Sequence, residues 1–225
     1  MRVIVATFLS ATVFVISCFS VSTQETKPLP DDRPVTTSGS SHIDIRYGNP
    51  PKIDGVVSDG EWNDAGSINI MLGSSNGPTV RFKHDGSNLY FVFTNISQDE
   101  GIRVPEVTLD MDSDKSSDWR PDDWWFHASG RDCQSHGRHS DYSTCAKQST
   151  EWEANNVQGM DFPQAFEMRI PFTTIGLDPS KRKKIGIAFD ITDTKKVWNF
   201  WPTNASLGNP STWGEATSSD MWRKN

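Results

Sequence analysis

Short stretches in which apolar and polar residues alternate recur along the chain from about residue 42 onward. Within Thr79–Asn95, apolar residues take alternate positions on both sides of an Asp85-Gly86 pair, which predicts two strands joined by a tight turn. Nine further stretches have strand-like patterns: Ile43–Ile45, Ser67–Leu72, Val104–Asp110, Trp124–Ala128, Trp152–Asn155, Phe166–Ile170, Lys184–Ile191, Val197–Phe200 and Gly214–Ser218. About ten short strands separated by turns predict an all-β fold, an antiparallel β-sandwich of the jelly-roll or immunoglobulin type with one or two short helices.

Two short segments have helical features. Pro171–Leu177 follows a predicted strand and is expected to form a helical turn. Ser58 and Glu61 stand three residues apart, which is the spacing of a capping box, and Trp62 follows directly. We expect a short strand and turn at Ile53–Gly55, then one or two helical turns that close one end of the sandwich.

The amino-terminal segment has the features of an export signal. Residues 1–18 begin with a positive Arg2 and continue with about 15 mostly apolar residues, too few for a membrane span of roughly 20. The segment ends in Val15-Ile16-Ser17-Cys18, a degenerate lipobox that makes Cys18 a candidate for lipidation, whereas ordinary cleavage would discard it. We expect an exported protein, either a cell-envelope or surface lipoprotein tethered to the membrane through Cys18 or a secreted or periplasmic one.

Residues 19–41 are rich in Ser, Thr and Pro and contain almost no large apolar side chain. Such a segment cannot bury enough surface to fold, so it predicts a flexible tether. Residues 42–225 are expected to form the single folded domain.

The two cysteines outside the signal segment are Cys133 and Cys145. An even pair in an exported protein predicts a disulfide, which would stabilise the fold by roughly 3 kcal/mol. A zinc site that combines the two cysteines with His136 and His139 is the alternative, although export favours oxidation.

The net charge of −7 argues against a nucleic-acid partner, which requires clustered Lys and Arg side chains. Asp and Glu are abundant, but none stands in a motif of a glycosidase, a zinc protease or a serine hydrolase. We therefore expect a protein that is not an enzyme.

Three carboxylates alternate where a predicted strand ends, at Asp110, Asp112 and Asp114. Hard oxygen ligands at this spacing suit Ca²⁺, but Lys115 stands where an EF-hand loop needs Gly, which excludes an EF-hand. The expectation is therefore either no cofactor or a structural calcium ion, and a solvated acidic turn is the alternative.

Tryptophan is unusually frequent, with nine in the chain. Flat aromatic faces bind the apolar faces of sugar rings. Trp62, Trp125 and Trp152 lie at apolar-periodic positions and are expected in the core. The candidates for carbohydrate binding lie in polar turns or in the carboxy-terminal loop, where exposure is expected; they are Trp119, Trp124, Trp201 and Trp213.

Three pieces of the sequence resemble the family 9 carbohydrate-binding modules. They are Ile53-Asp54-Gly55 followed by Glu61-Trp62, the turn at Asp85 that leads into Leu89–Phe93, and Glu167–Phe172 with Lys184–Asp190. The resemblance implies a non-catalytic β-sandwich that binds a polysaccharide such as xylan or cellulose, or its fragments, in carbohydrate catabolism. Modules of this family often accompany xylanases and other glycosidases, which implies a partner glycosidase, and some bind calcium.

The sequence departs from the family at the two loops that carry its sugar-clamping tryptophans. Glu100–Pro105 contains no Trp. The second loop corresponds to Asn204–Asn209 in this chain. The segment that follows it, Pro210–Gly214, matches the family, but Trp213 stands where the family usually has Phe, which suggests a core position for this residue.

Two other functions compete with carbohydrate binding. Related sandwiches carry haem for electron transfer, which here would use His127 or His84 with Met111 or Met168 as axial ligands. The third hypothesis is an envelope interaction domain without a ligand.

Overall fold

The computed structural model describes residues 41–96, 104–128, 133–138, 146–147, 152–156, 165–181, 183–192 and 197–223. The chain divides into two units, residues 1–30 and 31–225, and every described residue belongs to the second. In the described ranges, no helix has the length and the apolar character needed to span a bilayer.

The described residues form thirteen strands and two short helical segments. The strands are β1 His42–Asp44, β2 Gly66–Leu72, β3 Ser75–His84, β4 Asn88–Thr94, β5 Val104–Asp110, β6 Asp123–His127, β7 Cys133–His136, β8 Ala146–Lys147, β9 Glu153–Asn155, β10 Ala165–Pro171, β11 Ile185–Thr192, β12 Trp198–Trp201 and β13 Gly214–Thr217. The helical segments are α1 Phe172–Ile175 and a 3-10 turn at Pro210–Thr212.

The strands lie in two sheets, as the alternating pattern predicts. The larger sheet has the order β1-β13-β11-β5-β6-β7-β8, and β12 pairs with the second half of β11. The smaller sheet has the order β2-β3-β4-β10-β9. Pairing is antiparallel except between β1 and β13, which run parallel. The all-β sandwich is confirmed. The segment of β7, expected to be a loop, forms a strand because it pairs with β6.

The main core lies between the two sheets and is filled by the inward-facing residues of both. Phe189 of β11 is surrounded by aromatic rings of the smaller sheet, with centroids 6.2 Å from Phe82, 5.5 Å from Phe91 and 6.0 Å from Phe93. Such ring pairs add to the stabilisation that burial itself provides. Trp152 is in this core, as predicted.

The stretch Pro51–Ala65 does not form the predicted strand and helix. Residues 59–64 form successive turns, in which Glu61 accepts a hydrogen bond from the Ser58 N–H at 3.1 Å, so only one arm of the capping box forms. The stretch packs Trp62 against Tyr90 and Val92 of β4, which face away from the main core. It therefore covers the outer face of the smaller sheet instead of closing an end of the sandwich.

Candidate functional site

One face of the larger sheet points away from the main core and carries a row of four side chains. The strand register places His127 of β6, Glu106 of β5, Asp190 of β11 and Phe200 of β12 opposite one another. Residues directly opposite in antiparallel strands point to the same face and come into contact. We call this set the polar row; three of its members are titratable, and all three are buried.

Glu106 is the centre of the hydrogen bonding in the polar row. Its Oε2 accepts from Trp125 Nε1 at 2.9 Å, and its Oε1 lies 2.6 Å from His127 Nδ1. A carboxylate acceptor at that distance places a ring proton on Nδ1. Glu106 is also hydrogen-bonded to the Asp190 side chain.

The hydrogen bonds of Glu106 favour the proton of this carboxyl pair on Asp190, because Glu106 already accepts from Trp125 and contacts His127. Burial raises the pKa of Asp190 well above its ordinary value, and the nearby charge of Glu106 raises it further. Two carboxyl groups this close cannot both ionise cheaply, so one keeps its proton and donates it to the other. The two catalytic carboxyl groups of a glycosidase stand about 5 Å or more apart, so that they flank the scissile bond. Glu106 and Asp190 are hydrogen-bonded to each other and do not match that geometry.

A pocket of about 390 Å³ opens beside the polar row. It is lined by Trp198 and Phe200 of β12 and by the loop residues 205–208. Trp198 is 41% exposed, and its ring centroid lies 6.2 Å from that of Phe200. The volume is within the range of small-molecule sites, and the aromatic wall can contact an apolar ring face.

Two of the predicted tryptophans hold the loop of this pocket. Trp119 Nε1 donates to the Leu207 carbonyl at 2.9 Å, and Trp213 Nε1 donates to the Ser206 carbonyl at 2.9 Å. The two rings contact each other edge to face, with centroids 5.3 Å apart. These two residues position the pocket loop.

The structure does not bring the four predicted tryptophans together on one surface. Trp201 is 3% exposed and packs in the main core, 5.8 Å from Phe189. Trp213 is 2% exposed, so the expected exposure of both is wrong, and the alternative of a buried Trp213 is confirmed. Trp124 is half-buried and stacks on Phe126 of the main core at 5.7 Å. Trp125, expected in the core, is buried on the outer face against Leu207.

The aromatic residue that sequence reasoning missed is Trp198. Alternation along Trp198-Asn-Phe-Trp201 puts Trp198 and Phe200 on one face of β12 and Trp201 on the other. That pattern could have assigned Trp198 and Trp201 to opposite faces of the strand, although it does not say which face is buried. Glu106 and Asp190 had no recognisable motif, because only strand register joins them.

The acidic turn brings together more carboxylates than the sequence predicted. Ligand oxygens of Asp110, Asp112 and Asp114 lie within 4.8 Å of one another, and so do those of Asp110, Asp122 and Asp123. Asp110 and Asp123 are buried and directly opposite each other on β5 and β6. Burial, reinforced by the like charges of Asp110, Asp122 and Asp114, raises the pKa of Asp123 to about 7. A set of carboxylate oxygens, two of them from the buried Asp110 and Asp123, fits a hard cation such as Ca²⁺.

Several predictions fall outside the described residues. Cys18, Cys145 and His139 are among these, and nothing is described of the Cys133 side chain. The disulfide, the zinc alternative and the lipidation therefore remain predictions.

The candidate haem ligands are held in other contacts. His84 Nε2 lies 2.8 Å from Ser218 Oγ, and its Nδ1 accepts from the Gly86 N–H at 3.1 Å. Met111 and Met168 are buried in the main core, and His127 Nδ1 contacts Glu106. This arrangement does not favour axial ligation of iron.

Two solved structures are similar to this chain. Both are of a carbohydrate binding module family 9 from Caldicellulosiruptor kristjanssonii, one in complex with cellotriose and the other in complex with glucose. The first has a TM-score of 0.57 and 18% identity over 79% of this chain and 93% of its own. The second has a TM-score of 0.56 and 20% identity over 79% of this chain and 95% of its own.

No family model matches the chain, and no curated protein matches it in sequence. The likeness to the two structures is therefore one of fold. It confirms, at the level of the β-sandwich, the resemblance to family 9 that the sequence motifs indicated.

Proposed function

We propose that this chain, which shares its fold with the family 9 modules, is a non-catalytic saccharide-binding module. Its site is the pocket formed by Trp198, Phe200 and residues 205–208. The observation that carries the proposal is the 41% exposed Trp198, which lines a surface pocket together with Phe200 and the loop residues 205–208. The solved neighbours are described as complexes with cellotriose and glucose, which supports a saccharide ligand.

Each part of the pocket has a role in this proposal. The Trp198 face packs on a sugar ring, and Phe200 forms the adjoining wall. The side-chain hydroxyl of Ser206 and the backbone groups of Gly208, both exposed residues of the pocket loop, can form hydrogen bonds with sugar hydroxyls. The ligand is a β-glucan or xylan chain or its fragments, delivered to a partner glycosidase that cleaves it.

Isothermal titration calorimetry with cellotriose, xylotriose and glucose tests the proposal, together with affinity electrophoresis in gels of xylan, soluble cellulose and laminarin. We expect Trp198→Ala to weaken binding about tenfold or more, because an aromatic contact of this kind is worth roughly 1.5–3 kcal/mol. Val56→Ala is the matched control, since Val56 is 49% exposed and lies in the stretch over the other sheet. Unchanged mobility in every gel and no heat with any sugar would reject the proposal and leave the interaction-domain hypothesis.

The location of the module is a second proposal, and the sequence alone supports it. Residues 1–18 direct export, Cys18 carries the lipid, and residues 19–41 hold the domain away from the membrane. Metabolic labelling with a radiolabelled fatty acid tests this. A Cys18→Ala variant labelled as strongly as the wild type would contradict it.

A structural calcium ion is the third proposal. Asp110 would bind it together with either Asp122 and Asp123 or Asp112 and Asp114, and the ion would offset the repulsion between the carboxylates.

A further inference from the structure

Asp190 is the cross-strand neighbour of Phe200 in the pocket wall but does not itself line the pocket. Its side chain is 1% exposed and is hydrogen-bonded to Glu106, while Thr192 Oγ1 donates to its Oδ1 at 3.4 Å. A buried carboxylic acid in the middle of a sheet face is costly unless its hydrogen bonds are satisfied. The pair of Asp190 and Glu106 is therefore a connected network whose integrity depends on one proton.

Two routes connect this carboxyl pair to the pocket. Glu106 accepts from the Trp125 indole, and Trp125 packs against Leu207 of the pocket loop. On the other side, Asp190 is the direct cross-strand neighbour of Phe200, which forms the pocket wall. A change in the distance between the two carboxyls displaces groups that contact both the wall and the loop.

We propose that Asp190 is a positioning residue of the saccharide site and that its carboxylic proton makes sugar binding dependent on pH. The inference rests on the proposed function. With the proton present, Asp190 donates to Glu106 and holds Trp125 and Phe200 in place. When the proton is lost, two buried carboxylates repel each other across β5 and β11, and the aromatic wall and loop of the pocket separate.

The groups around the pair set the direction of the effect. Asp190 faces Glu106 on β5, Thr192 on its own strand β11 and the apolar Phe200 on β12. On β6, His127 lies opposite Glu106. Among the described residues, Glu106 is the charge that acts on Asp190, and it favours the protonated form. Binding is therefore intact at low pH and is lost as the pH rises through the raised pKa of Asp190.

The test measures the cellotriose affinity by calorimetry in steps from pH 5 to pH 9. If the ionised pair does not bind, the wild-type affinity falls by up to about tenfold per pH unit above that pKa, since one proton is linked to binding. Asp190→Asn retains a donor to Glu106 but cannot ionise, so its affinity, whatever its absolute value, should stay level over this range. Glu167→Gln is the control, because it removes another buried carboxyl on the opposite sheet and should leave the wild-type pH profile of binding unchanged.

A second measurement needs neither sugar nor a variant. The indole N–H proton of Trp125 reports on Glu106 directly, so its NMR shift should titrate in the same pH range as the affinity. A chemical shift of the Trp125 indole proton that does not change with pH would overturn this inference without affecting the proposed function. A wild-type cellotriose affinity that does not change with pH would do the same. A protein that binds no glycan at any pH overturns the proposed function, and this inference with it.

Discussion

Trp62 Nε1 donates a hydrogen bond to Glu167 Oε1 at 3.0 Å, across the outer face of the smaller sheet. The other oxygen of Glu167 accepts from the backbone N–H groups of Asp54, at 3.1 Å, and Gly55, at 2.9 Å. The buried Glu167 on β10 thereby holds the stretch Pro51–Ala65, which carries the Ile-Asp-Gly and Glu-Trp motifs, against the smaller sheet. These motifs stabilise the fold and lie on the sheet opposite the candidate pocket.

Glu167 makes stability depend on pH. Burial outweighs its three N–H donors and raises the pKa of Glu167 from 4.5 to about 7. Because the folded state holds this proton more tightly than the unfolded state, the contribution to stability is complete below pH 4.5 and is lost as the pH rises through 7. In urea unfolding, Glu167→Gln should be less stable throughout, and its deficit relative to the wild type should shrink between pH 4.5 and 8. A deficit that stays constant would contradict the raised pKa.

His84 produces the opposite dependence. Burial lowers the pKa of His84 from 6.5 to about 4, and both ring nitrogens are engaged as in a neutral imidazole. Its contribution to stability is complete above pH 6.5 and is lost as the pH falls towards 4, since the unfolded chain takes up the proton first. Because Asp123 and Asp190 have raised pKa values and act in the opposite direction, the effect of His84 is measured as a difference between two variants. The free energy of unfolding of Glu167→Gln minus that of the double variant with His84→Gln should increase as the pH rises from 4 to 6.5, and a constant difference would contradict the lowered pKa of His84.

Substitutions of Trp201 and Trp198 should have different effects: the first should lower stability, and the second should weaken sugar binding. Trp201→Ala removes a core ring beside Phe189 and should lower the free energy of unfolding by about 3–5 kcal/mol. Trp198→Ala should change it little, because much of that side chain is already in contact with solvent. Thermal unfolding by circular dichroism measures both. Equal losses of stability would show that Trp198 is also part of the core.

Trp119 should affect binding through the pocket loop. Trp119→Phe keeps an aromatic ring against Trp213 but removes the N–H donor to the Leu207 carbonyl. The loss of one such hydrogen bond costs about 1 kcal/mol, so cellotriose should bind several-fold more weakly. Trp124→Phe is the matched control, since Trp124 stacks on the core-facing Phe126. An affinity equal to that of the wild type would show that the loop position does not matter for binding.

Calcium should stabilise the acidic turn. An ion that binds the folded state and is present at a concentration 100 times its dissociation constant adds about 2.7 kcal/mol to the free energy of unfolding. We therefore expect CaCl₂ to raise the thermal transition temperature and a chelator to reverse the increase. Asp110→Asn should abolish the shift, because Asp110 belongs to both carboxylate groups. Asp118→Asn, an exposed residue of the same loop, should leave it intact. A transition that calcium does not move would reject the ion.

The sequence by itself determined the strands and the fold class. Alternation across Thr79–Asn95 or Val104–Asp110 reflects the two faces of a strand, and this local property is readable from neighbouring residues. The same alternation puts Trp198 and Phe200 on one face of β12 and Trp201 on the other, a distinction that the prediction of four binding tryptophans did not use. The local capping-box spacing, in contrast, predicted a helix that does not form, because Glu61 accepts from both the Lys52 and Ser58 N–H groups and Glu167 holds the turn from another strand.

Only the tertiary structure decided which face of each strand lies in the core and which residues meet on the other. A strand such as β12 carries aromatic rings on both faces, so its pattern does not say which ring is buried. Glu106 lies far from Asp190 and Phe200 in the chain, and the three residues meet because β5, β11 and β12 pair in one register. Register depends on contacts between distant segments, and for that reason the candidate site emerged from the folded sheet.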